Sequence, residues 1–147
     1  MADISRSFGQ AVVARLHAQL PPGTPVYYGQ VTTPDDQLVY PLAVVWAIPA
    51  DRVRANLTGT IAAADARVQI TAAGLHPDEV TTLLDRVGAA LHGWRPTLPG
   101  WRCGLVWDMP VQQPITKNED LWWRGRPTYR GVSLYRLAAE PVPDAGF

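Results

Sequence analysis

The stretch Ala64 to Gly93 constrains the chain more than any other. From Ala64 to Ala72 the residues alternate, with Ala64, Ala66, Val68, Ile70 and Ala72 in one phase and Asp65, Arg67, Gln69 and Thr71 in the other. A period of two predicts a strand with one buried and one wet face. The chain turns at Gly74, and Pro77 then occupies a first helical position, with Asp78 and Glu79 in the first turn. Proline needs no intrahelical partner there, and acids suit the positive end of the helix dipole. Val80, Leu83, Leu84, Val87 and Leu91 make an apolar stripe, His92 lies in the last turn and Gly93 supplies the stop. A strand and a helix that each bury one face require partners from the rest of the chain.

At 147 residues the sequence suggests a single domain spanning 1–147. Thirteen basic residues balance thirteen acidic ones, which speaks against a dedicated nucleic-acid binder and for a surface that tolerates association. The lone Cys103 permits neither an internal disulfide nor a cysteine metal cluster, so a reducing compartment is expected. The polar, helix-like N-terminus is not expected to be a signal peptide, and the apolar runs are too short for a membrane span. Six Trp are present, mostly between positions 94 and 123.

Taken in order, Asp3 is placed to cap a first helix carrying Ile4, Phe8, Val12, Leu16 and Leu20 on one side, ending at Pro21-Pro22-Gly23. Val26 to Tyr28 is a short strand. Leu38 to Ile48 is nearly all apolar, as a central strand covered on both faces would be. Pro49 to Arg52 reads as a turn, and residues 38 to 73 as a long antiparallel hairpin with its tip near 49–59. Trp101, Cys103, Leu105 and Trp107 alternate as a fourth strand, and Thr128 to Leu137 is a last one. Residues 110–127 are expected to be non-regular, and Ala139 to Phe147 a frayed tail. The expected fold is α+β: one antiparallel or mixed sheet of four to five strands with two helices on one face.

Chemistry is sparse. His17, His76 and His92 stand apart, Cys103 has no base beside it, and Asp35-Asp36 and Glu119-Asp120 lack the alternating pattern of a calcium loop. No catalytic, cofactor or metal site is expected. The exception is Leu121 to Arg130, where Trp122, Trp123, Arg124 and Arg126 combine the residue types that dominate protein interfaces. A protein contact is the leading reading, core cover the second, and stacking on single-stranded nucleic acid the third.

Several segments together resemble the tail terminator (tail completion) proteins of long-tailed bacteriophages. They are Pro25 to Gly29 (Pro-Val-Tyr-Tyr-Gly), Tyr40 to Val45, Asp65 to Gly74, Asp85 to Leu91, and Pro127 to Leu137 with its closing Val-Ser-Leu-Tyr-Arg-Leu. The Trp-rich stretch from Trp101 to Trp123 departs from that pattern. The resemblance implies a non-enzymatic virion protein without cofactor. It implies a homo-hexameric ring on the head-proximal end of the tail tube, contacting the tail tube protein and the head-closure or neck protein, with no membrane and no specific nucleic acid. A head-closure or other neck protein is the nearest alternative; independent of the resemblance, the rival readings are a small α+β module that binds RNA or single-stranded DNA through the Trp/Arg stretch, and then a small enzyme.

Overall fold

The computed structural model describes residues 3–54, 61–111 and 113–142 as backbone, and the same residues except 52–54, 61–62 and 118–123 as side chains. Two helices form where the apolar stripes require. Helix α1 spans Ile4–Gln19, and Asp3 accepts a hydrogen bond from the Ser5 amide at 3.0 Å. Ile4, Phe8, Val12 and Leu16 are fully buried along it. Helix α2 spans Pro77–Leu91, and here the cap is His76, whose Nδ1 accepts from the Asp78 amide at 3.1 Å. Each cap satisfies one of the orphan amides of a first turn.

Seven strands make one mixed sheet: β1 Val26–Tyr28, β2 Leu42–Arg54, β3 Ile61–Gly74, β4 Trp101–Cys103, β5 Trp107–Met109, β6 Thr116–Trp123 and β7 Arg126–Pro141. The order is β1-β2-β3-β7-β4, with β5 and β6 also on β7. Among the described residues β1 pairs in parallel with β2, and the other pairs are antiparallel. Strand β7 meets β3 along one edge. Its other edge takes β6 at its start, β5 in its middle and β4 at its end.

The α+β class and the two helices are as expected, but the sheet has seven strands rather than four to five. The extra strands have local causes. Pro49 to Arg52 is no turn but part of β2: the register passes from Ile48↔Arg67 to Asp51↔Asp65, so β2 carries one extra residue as a bulge. Pro49 has no amide to donate, and Ala50 donates instead to Ser5 Oγ at 2.9 Å on α1. The tip of the β2–β3 hairpin, 55–60, lies outside the described residues. The strand expected through Trp101 to Trp107 divides at Gly104, beyond which the buried phase switches to Val106. Val106 does not pair with β7; it donates to the Trp94 carbonyl at 2.7 Å and accepts from the Gly93 amide at 2.7 Å. The stretch expected to be non-regular contains β6. The expected frayed tail does not begin at Ala139, because β7 runs to Pro141 and Ala139 is buried in the core.

Both helices pack on the same face of the sheet. Their stripes meet Ala43 and Val45 of β2, Ala66, Val68, Ile70 and Ala72 of β3, and Tyr135 and Leu137 of β7 in one buried cluster. Small residues on β2 and β3 let the helices approach closely. Gly131 of β7 does the same for α2: a Cβ there would lie 2.9 Å from Leu84 Cδ1. On the opposite face, among the described residues, the start of β2 is covered: Leu42 and Val44 pack with Leu38, flanked by Tyr27 and Tyr40.

Candidate interface on the open sheet face

The register arranges the helix-free face in rows that cross the sheet. Val44, Thr71 and Val132 form one row. Trp46, Gln69, Leu134 and Met109 form the next, and Ile48, Arg67, Arg136 and Trp107 the third. A sheet usually buries such a face against a second layer or leaves it polar. Here it is mixed: Trp46 is 41% exposed and Trp107 53%.

The third row puts two arginines directly opposite each other, an unfavourable pairing unless each is neutralised. Arg67 is bound by Asp51 and Arg136 by Asp65 at 3.0 Å. On the next strands the aromatic rings are fixed by polar contacts. Trp46 Nε1 donates to Thr71 Oγ1 at 3.1 Å. Trp107 stands edge-on to His92 at 5.1 Å between ring centroids, and His92 Nδ1 lies 2.9 Å from Asp108 Oδ1. Two surface grooves mark the face. One, of about 520 Å³, lies among Leu105, Trp107, Met109 and Arg136. The other, of about 490 Å³, lies over β3 and β7 among Gln69, Thr71, Gln113, Arg130 and Leu134.

The four residues singled out in sequence sit at the tip of the β6–β7 hairpin. The backbone pairs Trp123 with Arg126 and Trp122 with Pro127, and Arg124-Gly125 form the two-residue turn. Arg124 (φ 50°) and Gly125 (φ 76°) both adopt left-handed backbone, the requirement of a turn that matches the twist of its strands. Arg124 Nη2 donates to the Asp36 carbonyl at 2.9 Å, tying the tip to the 3₁₀ turn at Asp35–Gln37. Arg126 is exposed. The side chains of Trp122 and Trp123, like those of Glu119 and Asp120, lie outside the described residues.

Two of the three histidines have structural roles. His17 is exposed, His76 caps α2, and His92 closes the end of α2 toward β5. Burial raises the Cys103 thiol above its ordinary pKa, which keeps it protonated and a weak nucleophile near neutrality. Among the described residues no group of three or more His, Cys, Asp or Glu side chains is placed to hold a metal, and no helix is long and apolar enough to cross a membrane. Sequence reading missed Trp46, Trp107, Arg67 and Arg136 as a common surface. The polar phase of β3 was the available signal, but which strands extend it depends on pairings between residues far apart in the chain.

The chain matches no protein-family model and no curated protein. Among solved structures it is similar to a chain of the "Virion of native gene transfer agent (GTA) particle", with a TM-score of 0.67 and 17% sequence identity. The similarity covers 95% of this chain and 99% of that one, so the two share a fold over nearly their whole length.

Proposed function

We propose that this chain is a structural component of a phage-like virion, and specifically the tail terminator. In this reading it forms a homo-hexameric ring on the head-proximal end of the tail tube, ends tube growth and offers the surface on which the head-closure or neck protein docks. The observation that carries the reading is the end-to-end fold similarity to a chain of a gene transfer agent virion. The segments from Pro25 to Leu137 that resemble tail terminators support the finer assignment. A helix layer on one side and a bare, partly aromatic face on the other suit a closed ring, in which one patch meets a different patch of the next subunit. The role is non-enzymatic and needs no cofactor.

The hairpin tip, with Trp122, Trp123, Arg124 and Arg126, is proposed as a second contact, toward a neighbouring subunit or the tube. Trp and Arg concentrate binding energy at interfaces. A native mass spectrum over a range of concentrations tests the ring. A six-subunit species supports it, and a stable dimer as the largest species contradicts it.

A further inference from the structure

We infer that the groove over β3 and β7 is a receptor for a carboxylate side chain on an apolar segment of a partner protein. This rests on the proposed role of the open face as a protein interface. Among the described residues, four cations of the open face away from the hairpin tip can be compared. Arg67, Arg136 and Arg102 each have an acidic neighbour on the same face, Asp51, Asp65 and Glu140. Arg130 has none: among the described residues no carboxylate lines its groove, and Arg130 is the one charged group there.

The hydrogen-bonding capacity of the groove points the same way. Thr71 Oγ1 accepts from Trp46 Nε1 at 3.1 Å and from Gln69 Nε2 at 3.5 Å. A hydroxyl whose two lone pairs are engaged has only its proton left to offer. Thr71 and Arg130 are diagonal neighbours, because Thr71 pairs with Val132 and Ala73 with Arg130. Such positions lie roughly 7–8 Å apart, within reach of one acceptor group between a hydroxyl and a long guanidinium. The Gln113 amide adds further donors. Val132, Leu134 and Pro114 supply apolar walls. A single cation between apolar walls suits a side-chain carboxylate. A nucleic-acid backbone presents a row of phosphates and calls for several cations. The volume of about 490 Å³ holds a short extended segment.

The test is a titration of the isotope-labelled full chain with the capped tripeptides acetyl-Leu-Glu-Leu-amide and acetyl-Leu-Gln-Leu-amide, and with a short oligo-dT, followed by amide chemical shifts. The glutamate peptide is expected to shift Gln69, Thr71, Gln113 and Arg130 and to bind about tenfold more tightly than the glutamine peptide. Arg130→Gln abolishes that preference. Trp46→Phe, which frees a lone pair on Thr71, reduces it several-fold while the arginine stays. Equal binding of the two peptides, no binding of either, a preference that survives Arg130→Gln, or stronger binding of oligo-dT overturns the inference. A chain that caps tail tubes but shows no peptide preference loses this inference alone. One that selects the glutamate peptide but forms no ring keeps it and loses the tail terminator role.

Discussion

Arg67 and Arg136 face each other directly across the β3–β7 ladder, and each is held by its own carboxylate. Asp65 reaches Arg136 diagonally, since its direct partner is Ala138. The bulge in β2 brings Asp51 opposite Asp65, two residues along β3 from Arg67 and on the same face. An irregularity in one strand therefore serves the charge balance of the neighbouring pair.

Removing one carboxylate exposes that repulsion. Asp65→Asn is expected to destabilise the chain by about 1 kcal/mol, with the loss shrinking as salt is raised. Arg136→Gln in the same chain relieves it. Urea unfolding of both single variants and the double variant at two ionic strengths checks this through the coupling between the sites. Additive effects would show that the two residues do not interact.

Gly131 sets the distance between α2 and the sheet. Gly131→Val places methyl groups where Leu84 Cδ1 and Val80 Cγ1 already lie, at 2.9 and 3.1 Å from a Cβ. The expected cost is about 1–3 kcal/mol, read as a lowered thermal midpoint. Leu84→Ala in the same chain recovers part of it. Full stability of Gly131→Val would mean that α2 does not pack closely at this position.

Tyr135 gives the fold an alkaline limit. Burial, and secondarily the charges of Asp108 and Asp85, raise its phenol above the ordinary tyrosine value. The unfolded chain then loses that proton at lower pH than the folded one, so stability is intact below about pH 10 and falls as pH rises beyond it. Tyr40 is raised in the same direction, first by burial. Tyr135→Phe is expected to flatten the decline in denaturant midpoint between about pH 9.5 and 11. An unchanged slope would remove Tyr135 as a cause.

Trp122→Ala with Trp123→Ala is expected to weaken assembly by at least tenfold in concentration while the subunit keeps its circular dichroism and thermal midpoint. Sedimentation at graded concentration measures it. Assembly at wild-type concentration would remove the hairpin tip from the interface.

The helices and the middle strands are legible in the sequence because their information is local. Asp3, Pro77 and the stripes of Phe8 and Val87 report on their own few turns. β3 is legible for the same reason, since its alternation from Ala64 to Ala72 is regular. β5 and β6 are hidden because they exist by pairing with β7, and neither Trp107–Met109 nor Thr116–Trp123 shows clean alternation. Pro49 gives a turn signal that a bulge and a hydroxyl from α1 override. The open face was half visible: Arg67 and Gln69 mark the wet phase of β3, but Trp46 lies in a run that reads as buried. The partners of that face lie far apart in the chain, as Asp65 and Arg136 do, 71 positions from each other.

The most direct test of the tail terminator reading is to add the purified chain to tail tubes growing from the matching tail tube protein and to image them by electron microscopy. The account predicts tubes of arrested length, each with a six-fold ring at one end only. Tubes that keep growing, with the chain unbound or bound along their length, would contradict it.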